Sequence, residues 1–187
     1  MSLVASPPAT LDDLMRVEGK AELIAGRIVK FMPIGFAPSH AATQILIELA
    51  MYERHTGNGT AGGDALGFAL RPPLRNGRQS FCPDTSFYIG PLPRNRMKFI
   101  EGPPTLAVEV RSENDYGPAA ERAIAAKRAD YFEAGTRVVW DVDPLAQTVT
   151  VYRDVDLARA EVFATGQVTD AEPAVPGWRM AVDDIFR

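Results

Sequence analysis

Apolar residues recur along this chain in two rhythms, and the points where the rhythm changes delimit the expected elements. Residues 1–9 read as a disordered lead. Thr10 then offers an N-cap, with Asp12 and Asp13 in the first turn, where the helix dipole favours negative charge. Leu11, Leu14 and Met15 give this short helix its apolar stripe, and Gly19 lies just past its end. Two short β-type runs around Ala25-Gly26, within residues 22–31, predict a hairpin whose first strand opens with Glu22. A loop follows over 33–38. Ser39 caps a predicted helix to 55, in which Ile45, Leu46, Leu49 and Tyr52 recur at helical spacing.

The second half is dominated by strands. Residues 57–63 predict a flexible connection; their glycines lack the Gly-Lys-Ser/Thr that a phosphate loop needs. Strands are expected at 65–70 and 81–89, joined by the polar turn Arg75-Asn76-Gly77-Arg78. The loop 91–104 holds Arg94, Arg96 and Lys98, the most basic local stretch, and reads as solvated. The run 105–110 is short and apolar, as a buried central strand should be. Pro118 suits the first turn of a helix that runs to Ala134 and stops at Gly135. A strand at 138–143, a hairpin partner at 148–152, short β and loop, and a helical turn at 182–186 complete the chain. The order predicts an α/β (α+β) fold, a mixed central β-sheet flanked by helices.

Composition narrows the function classes. The 187 residues suit one domain over 10–187, with no internal linker. A net charge of -4 gives no global basic field to attract nucleic acid, although a local basic patch is compatible with it. One cysteine, Cys82, cannot close an intramolecular disulfide and suits a reducing cytoplasm. In its apolar context beside Pro83 it reads as a small buried hydrophobe. The N-terminus has no basic region leading into an apolar one, and no apolar run reaches membrane length. The expectation is a soluble cytoplasmic protein with no membrane partner.

Three charged residues break the apolar pattern. In the strand 105–110, alternation puts Leu106, Val108 and Val110 on one face, with Ala107, Glu109 and Arg111 on the other. A carboxylate buried there costs several kcal/mol unless it is compensated. Glu109 is therefore either an ion-pair partner of Arg111, Lys127 or Arg137, or a metal ligand. Asp84 also interrupts an apolar strand, directly after Pro83, which disfavours a central, fully bonded position. It is either a turn or strand-start cap, or a residue aimed into a site. Lys127 shares a helical stripe with Ile124 and Tyr131. An inward lysine must snorkel out or meet a carboxylate. Two strand acids and one helix lysine can satisfy each other around a hard cation such as Mg²⁺, which prefers carboxylate oxygens. Such a cation would neutralise a scissile phosphate and activate water, while the lysine stabilises developing charge. His40, near the orphan N–H groups of a helix start, is either a phosphate contact or a plain surface histidine.

At these residues the chain resembles the Uma-type family of bacterial endonucleases, which have the restriction-endonuclease-like fold of the PD-(D/E)XK superfamily. The motifs are Phe81-Cys-Pro-Asp-Thr-Ser-Phe, Leu106-Ala-Val-Glu-Val-Arg-Ser, Lys127-Arg-Ala-Asp-Tyr-Phe-Glu-Ala-Gly and Val139-Trp-Asp-Val-Asp-Pro. Glu22-Leu-Ile-Ala-Gly-Arg-Ile-Val, His40, Pro176-Gly-Trp and the final Asp-Ile-Phe extend the similarity over residues 10–187. The resemblance implies a Mg²⁺- or Mn²⁺-dependent endonuclease acting on nucleic acid, DNA above all, with a homodimer for double-strand cutting. It implies Asp84, Glu109 and the Val110 carbonyl as metal ligands, Lys127 as the catalytic lysine, and Glu22 as the acid that joins from the N-terminal region. The superfamily pattern has lysine two residues after the second acid, where this chain has Arg111. Arginine stays protonated, so it can clamp a phosphate but cannot act as a base. Family members supply the lysine from the following helix, which here is Lys127. Two other classes remain: an inert nucleic-acid-binding or regulatory module on this fold, and a small-molecule hydrolase on an unrelated β-rich fold. The first would need no metal at Asp84 and Glu109, and the second would not draw those acids together.

Overall fold

The computed structural model describes residues 7–187. Residues 1–6 of the expected lead lie outside them, while Ala9 donates its N–H to the Gly26 carbonyl at 2.8 Å. Helix α1 (Leu11–Leu14) begins at Thr10 with a reciprocal capping box to Asp13. The expected hairpin follows as β1 (Ala21–Ile24) and β2 (Arg27–Lys30), antiparallel through Glu22↔Val29.

Helix α2 (Phe36–Thr56) starts one turn earlier than the sequence suggested, with Gly35 rather than Ser39 at its N-cap. Pro38 falls in the first turn, where a missing N–H leaves no bond unmade. The glycine-rich connection also differs from expectation. Residues 60–63 form an edge strand, β3 (Thr60–Gly63), paired antiparallel with the later β6. Glycine is required there by close approach: a Cβ on Gly62 would lie 2.3 Å from Leu66 Cδ2 and 2.6 Å from Ser86 Oγ.

The strand expected at 65–70 shrinks to β4 (Phe68–Ala69). The one expected at 81–89 is broken into β5 (Ser80–Phe81) and β6 (Thr85–Tyr88) by Cys82-Pro83-Asp84. Pro83 cannot donate to a ladder, so the break falls where the sequence puts it. A short β7 (Ile100–Glu101) lies inside the loop 91–104 and pairs with β4. Then come β8 (Leu106–Val110), α3 (Pro118–Ala134), β9 (Val138–Asp143), β10 (Thr148–Arg153), β11 (Asp156–Ala164), β12 (Val168–Asp170), β13 (Arg179–Ala181) and α4 (Val182–Phe186).

The main sheet runs β11-β10-β9-β8-β6-β3. It is mixed: β8 and β9, linked through α3, are parallel, and the other neighbours are antiparallel. One face buries Leu106, Val108, Val110, Trp140 and Val142 against Ile45 and Leu49 of α2 and Ile185 of α4. The other face buries Ala107 and Val139 with Phe68, Phe81 and Tyr131. The strand Leu106–Val110 is therefore central, with Glu109 on the α3 side. A mixed sheet flanked by helices is the architecture the sequence predicts.

Candidate active site

The register of β6 and β8 brings the two strand acids together. Thr85 lies opposite Val108, so the antiparallel ladder would next place Asp84 opposite Glu109. The backbone at Pro83 leaves that ladder, and the Asp84 side chain takes the vacated position: its Oδ2 accepts the Val110 N–H at 2.7 Å. On the other edge of β8, Arg111 N–H donates to the Val142 carbonyl at 2.9 Å. Alternate strand residues face opposite neighbours, so the Val110 carbonyl points to the same side as its N–H, toward Asp84.

Glu109 reaches α3. Its Oε2 accepts from Lys127 Nζ at 2.8 Å and its Oε1 from the Tyr131 hydroxyl at 2.5 Å. Helical spacing of four residues puts both donors on one stripe. The Tyr131 ring is stacked on Phe81 with centroids 4.1 Å apart, which fixes its hydroxyl. Lys127 Nζ also lies 3.3 Å from Glu22 Oε1. Glu22, only 1% exposed, accepts the Cys82 N–H at 3.1 Å and pairs with Arg78, whose Nε donates to Asp130 at 2.8 Å. The broken strand is what frees the Cys82 N–H for Glu22.

A second lysine completes the cluster. Lys20 pairs with Asp84 Oδ1 and with Asp64 Oδ1, the latter at 2.5 Å. It precedes Glu22 by two residues, so β1 directs both to one face. Around this site five carboxylates (Glu22, Asp64, Asp84, Glu109, Asp130) share three cations (Lys20, Arg78, Lys127), leaving two negative charges uncompensated when all are ionised.

Burial and charge oppose one another here. Burial pushes the Glu109 carboxyl above its ordinary value, with the Lys127 ammonium working against it. Burial disfavours the Lys127 ammonium, but Glu109 and Glu22 outweigh it and hold its pKa above the ordinary lysine range. Lys20 behaves likewise, with Asp84 and Glu109 outweighing its burial. Burial raises the Tyr131 hydroxyl well above its usual value, with Glu109 adding to it. Both lysines are thus held protonated: each can donate to an anion, and neither is available as a base.

These groups open into a cavity of about 680 Å³. Lys20, Asp64, Asp84, Glu109, Val110 and Lys127 line it together with the apolar Phe31, Met32, Pro33, Ile34, Ala123 and Ile124. Arg111 also lines it, but four of its five N–H donors are taken: Nε and Nη2 bind Asp141 at 2.8 and 2.7 Å, and Nη1 and Nη2 bind Glu121. His40 is not among the residues lining it; its ring stacks on Phe36 and its Nε2 meets the Arg187 carbonyl. The structure therefore gathers Glu22, Asp84, Glu109, Val110 and Lys127, and leaves His40 apart. Of the three partners considered for Glu109, it uses Lys127; Arg137 lies instead 3.9 Å from Asp154.

Among the described residues, no three His, Cys, Asp or Glu side chains form a ready-made ion cage. The donors facing one another are two carboxylates and a carbonyl. That all-oxygen set fits a hard divalent cation that keeps part of its shell as water or substrate phosphate.

Sequence reasoning did not single out Lys20, Asp64 or Arg78 for this site. Lys20 was findable, two residues before Glu22 on the same strand face. Asp64 closes a glycine segment and Arg78 a turn, where charged residues carry no signal.

Residues 9–183 match the model of the Uma2 family, described as "Putative restriction endonuclease". A solved structure described as "a putative nuclease belonging to DUF820", from Anabaena variabilis ATCC 29413, is 21% identical and superposes with a TM-score of 0.74. The match covers 96% of this chain and 98% of that one. At that identity the likeness establishes the fold. No curated protein matches the chain. Because the family model spans nearly its whole length, the chain belongs to the Uma2 family.

Proposed function

We propose that this Uma2 family member is an endonuclease that hydrolyses phosphodiester bonds in DNA and uses Mg²⁺ or Mn²⁺ held by Asp84, Glu109 and the Val110 carbonyl. The observation that carries the reading is the convergence of Asp84 and Glu109 from adjacent strands, with the Lys127 ammonium bonded to Glu109. Family membership supports nuclease chemistry, and the all-oxygen donor set supports a hard cation. When bound, such a cation neutralises the scissile phosphate and lowers the pKa of the attacking water.

The chain's own residues divide the remaining work. Lys127, kept protonated by its acidic neighbours, donates to the phosphate oxygen that gains charge during attack. Glu22 is a positioning residue: gripped by Arg78 and the Cys82 N–H, it gives the lysine a second carboxylate beside Glu109. Arg111 and His40, expected to bind substrate, are assigned no contact with the reacting phosphate: Arg111 spends four of its five N–H donors on Asp141 and Glu121, and His40 is not among the residues lining the cavity. The reading takes residues 10–187 as one domain in the cytoplasm, where Cys82 stays reduced. No helix among the described residues is long and apolar enough to cross a membrane. A homodimer with two such sites would suit cutting of both strands of a duplex.

A second reading is an inert nucleic-acid-binding or regulatory module. It is favoured by the fact that Asp84, Glu109 and Glu22 are each already matched by protein donors. Incubation of plasmid and linear DNA with the protein, with Mg²⁺, Mn²⁺ or chelator, separates the two. Cleavage that requires the cation and is lost in Asp84→Asn supports the nuclease; intact DNA under every condition supports the module.

A further inference from the structure

Lys20 has no role in the reading above, yet it holds the oxygen that a divalent cation needs. Asp84 Oδ2 is committed to the Val110 N–H, which leaves Oδ1 as the oxygen turned to the cavity, and Lys20 is bonded to it. The two lysines of the site are held differently. Lys127 projects from the middle of α3 onto two carboxylates that are themselves anchored, Glu109 by Tyr131 and Glu22 by Arg78. Lys20 lies just before β1, at the open end of the hairpin where its carbonyl accepts the Phe31 N–H at 3.0 Å. Its second partner, Asp64, is 61% exposed and follows Gly62-Gly63. Lys20 therefore has an anchored partner within the site and an exposed one at its mouth.

An ammonium and a divalent cation on one carboxylate oxygen weaken each other, because like charges at that separation repel strongly in a half-buried site. We propose that Lys20 competes with the divalent cation for Asp84 Oδ1 and so sets the affinity of the cation site. When the cation is bound, the Lys20 ammonium rests on Asp64 alone. This inference rests on the assignment of Asp84 to the cation. It makes Lys20 an affinity-determining residue of the site, with the largely exposed Asp64 as its alternative partner.

Titration of the full chain with Mn²⁺ by calorimetry, with a duplex oligonucleotide present to supply phosphate, tests it, comparing the wild type with Lys20→Met, Lys20→Gln and Lys20→Arg. Removing the ammonium tightens Mn²⁺ binding about tenfold or more, the scale on which a single competing ion pair acts. Lys20→Arg keeps charge and reach, and stays near wild type. Thermal melts without metal check the fold of each variant; two neutral variants are used so that one failing to fold leaves the other to decide. Equal or weaker Mn²⁺ binding by a folded neutral variant, with the wild type binding normally, overturns the competition and leaves the nuclease reading intact. Absence of Mn²⁺ binding in the wild type and all variants overturns both.

Discussion

Asp84 and Val110 are joined by a 2.7 Å hydrogen bond from backbone N–H to carboxylate, at the point where β6 and β8 stop pairing. A side chain thus continues what the backbone ladder leaves unmade after Pro83, and the acid is aimed without a strand position being spent on it. Glu109, one residue before Val110, leaves β8 on the α3 side, and the Val110 carbonyl faces Asp84. The local irregularity of one strand is what assembles the oxygen set.

Asp84→Asn keeps an oxygen that can accept from Val110, so the fold survives with a melting temperature close to wild type. Cation-dependent cleavage falls by at least about a hundredfold, the scale of losing a charged ligand to the cation that neutralises the reacting phosphate. Melting curves and initial rates on plasmid DNA read the two effects separately. Unchanged cleavage in a folded variant removes Asp84 from the mechanism.

Lys127→Met retains the aliphatic stem and deletes the charge. Glu109 keeps Tyr131 and Glu22 keeps Arg78, so stability drops by about 1–3 kcal/mol, the cost of leaving buried acceptors short of a donor. Turnover falls about 10²–10³-fold. The lysine also leaves a signature in alkali. Its folded pKa lies above the ordinary 10.5, so the stability it contributes is complete below 10.5 and is lost as pH rises through the higher folded value. Urea titrations between neutral pH and pH 11 should show an alkaline loss in the wild type that is smaller in Lys127→Met.

Arg111→Met tests the residue that stands where the superfamily pattern has its lysine. Its guanidinium is bidentate to Asp141, which is buried, and also holds Glu121. Breaking such a pair strands a buried charge and costs roughly 3–5 kcal/mol, discounted here because Arg111 is partly exposed. Lysine does not restore the fork, so Arg111→Lys recovers only part of the loss. Mn²⁺ affinity at Asp84 and Glu109 stays near wild type in chemical-denaturation-checked protein. A selective loss of turnover without destabilisation would return Arg111 to the substrate side.

Cys82 is predicted to be inert. Burial pushes its thiol up to about 12, with Lys20 opposing and Glu22 adding to the rise, and its Sγ lies 3.1 Å from the Asp64 carbonyl. At pH 8 almost no thiolate is present, so labelling with a thiol reagent should be slow and should follow unfolding. Fast stoichiometric labelling of the native protein contradicts this burial.

The parts of the site that the sequence displayed are those where a charge broke a period. Glu109 stands out because strand alternation puts it on an inward face, and Lys127 because it shares a helical stripe with Tyr131. The strand break at Pro83-Asp84 was readable from proline's missing donor. What stayed hidden has no side-chain rhythm to read. Strand β3 ends in two glycines and is specified by its pairing with β6 and by the closeness of Leu66 and Ser86. Asp64, at the end of that segment, was hidden with it. Arg78 sits in a polar turn where an arginine is unremarkable; only the third dimension reveals that it faces Glu22 and Asp130. Helix α2 begins at Phe36 because Pro38 is tolerated in a first turn, which the stronger cap signal at Ser39 concealed.

The central claim is that Asp84 and Glu109 bind one divalent cation together. Calorimetric titration of Mn²⁺ into the wild type, Asp84→Asn and Glu109→Gln, with a duplex oligonucleotide present to supply phosphate, tests it most directly. The wild type should show one site, and each variant should lose its binding, with all three proteins folded. Binding that persists undiminished in both variants, or is absent from the wild type with DNA present, would contradict it.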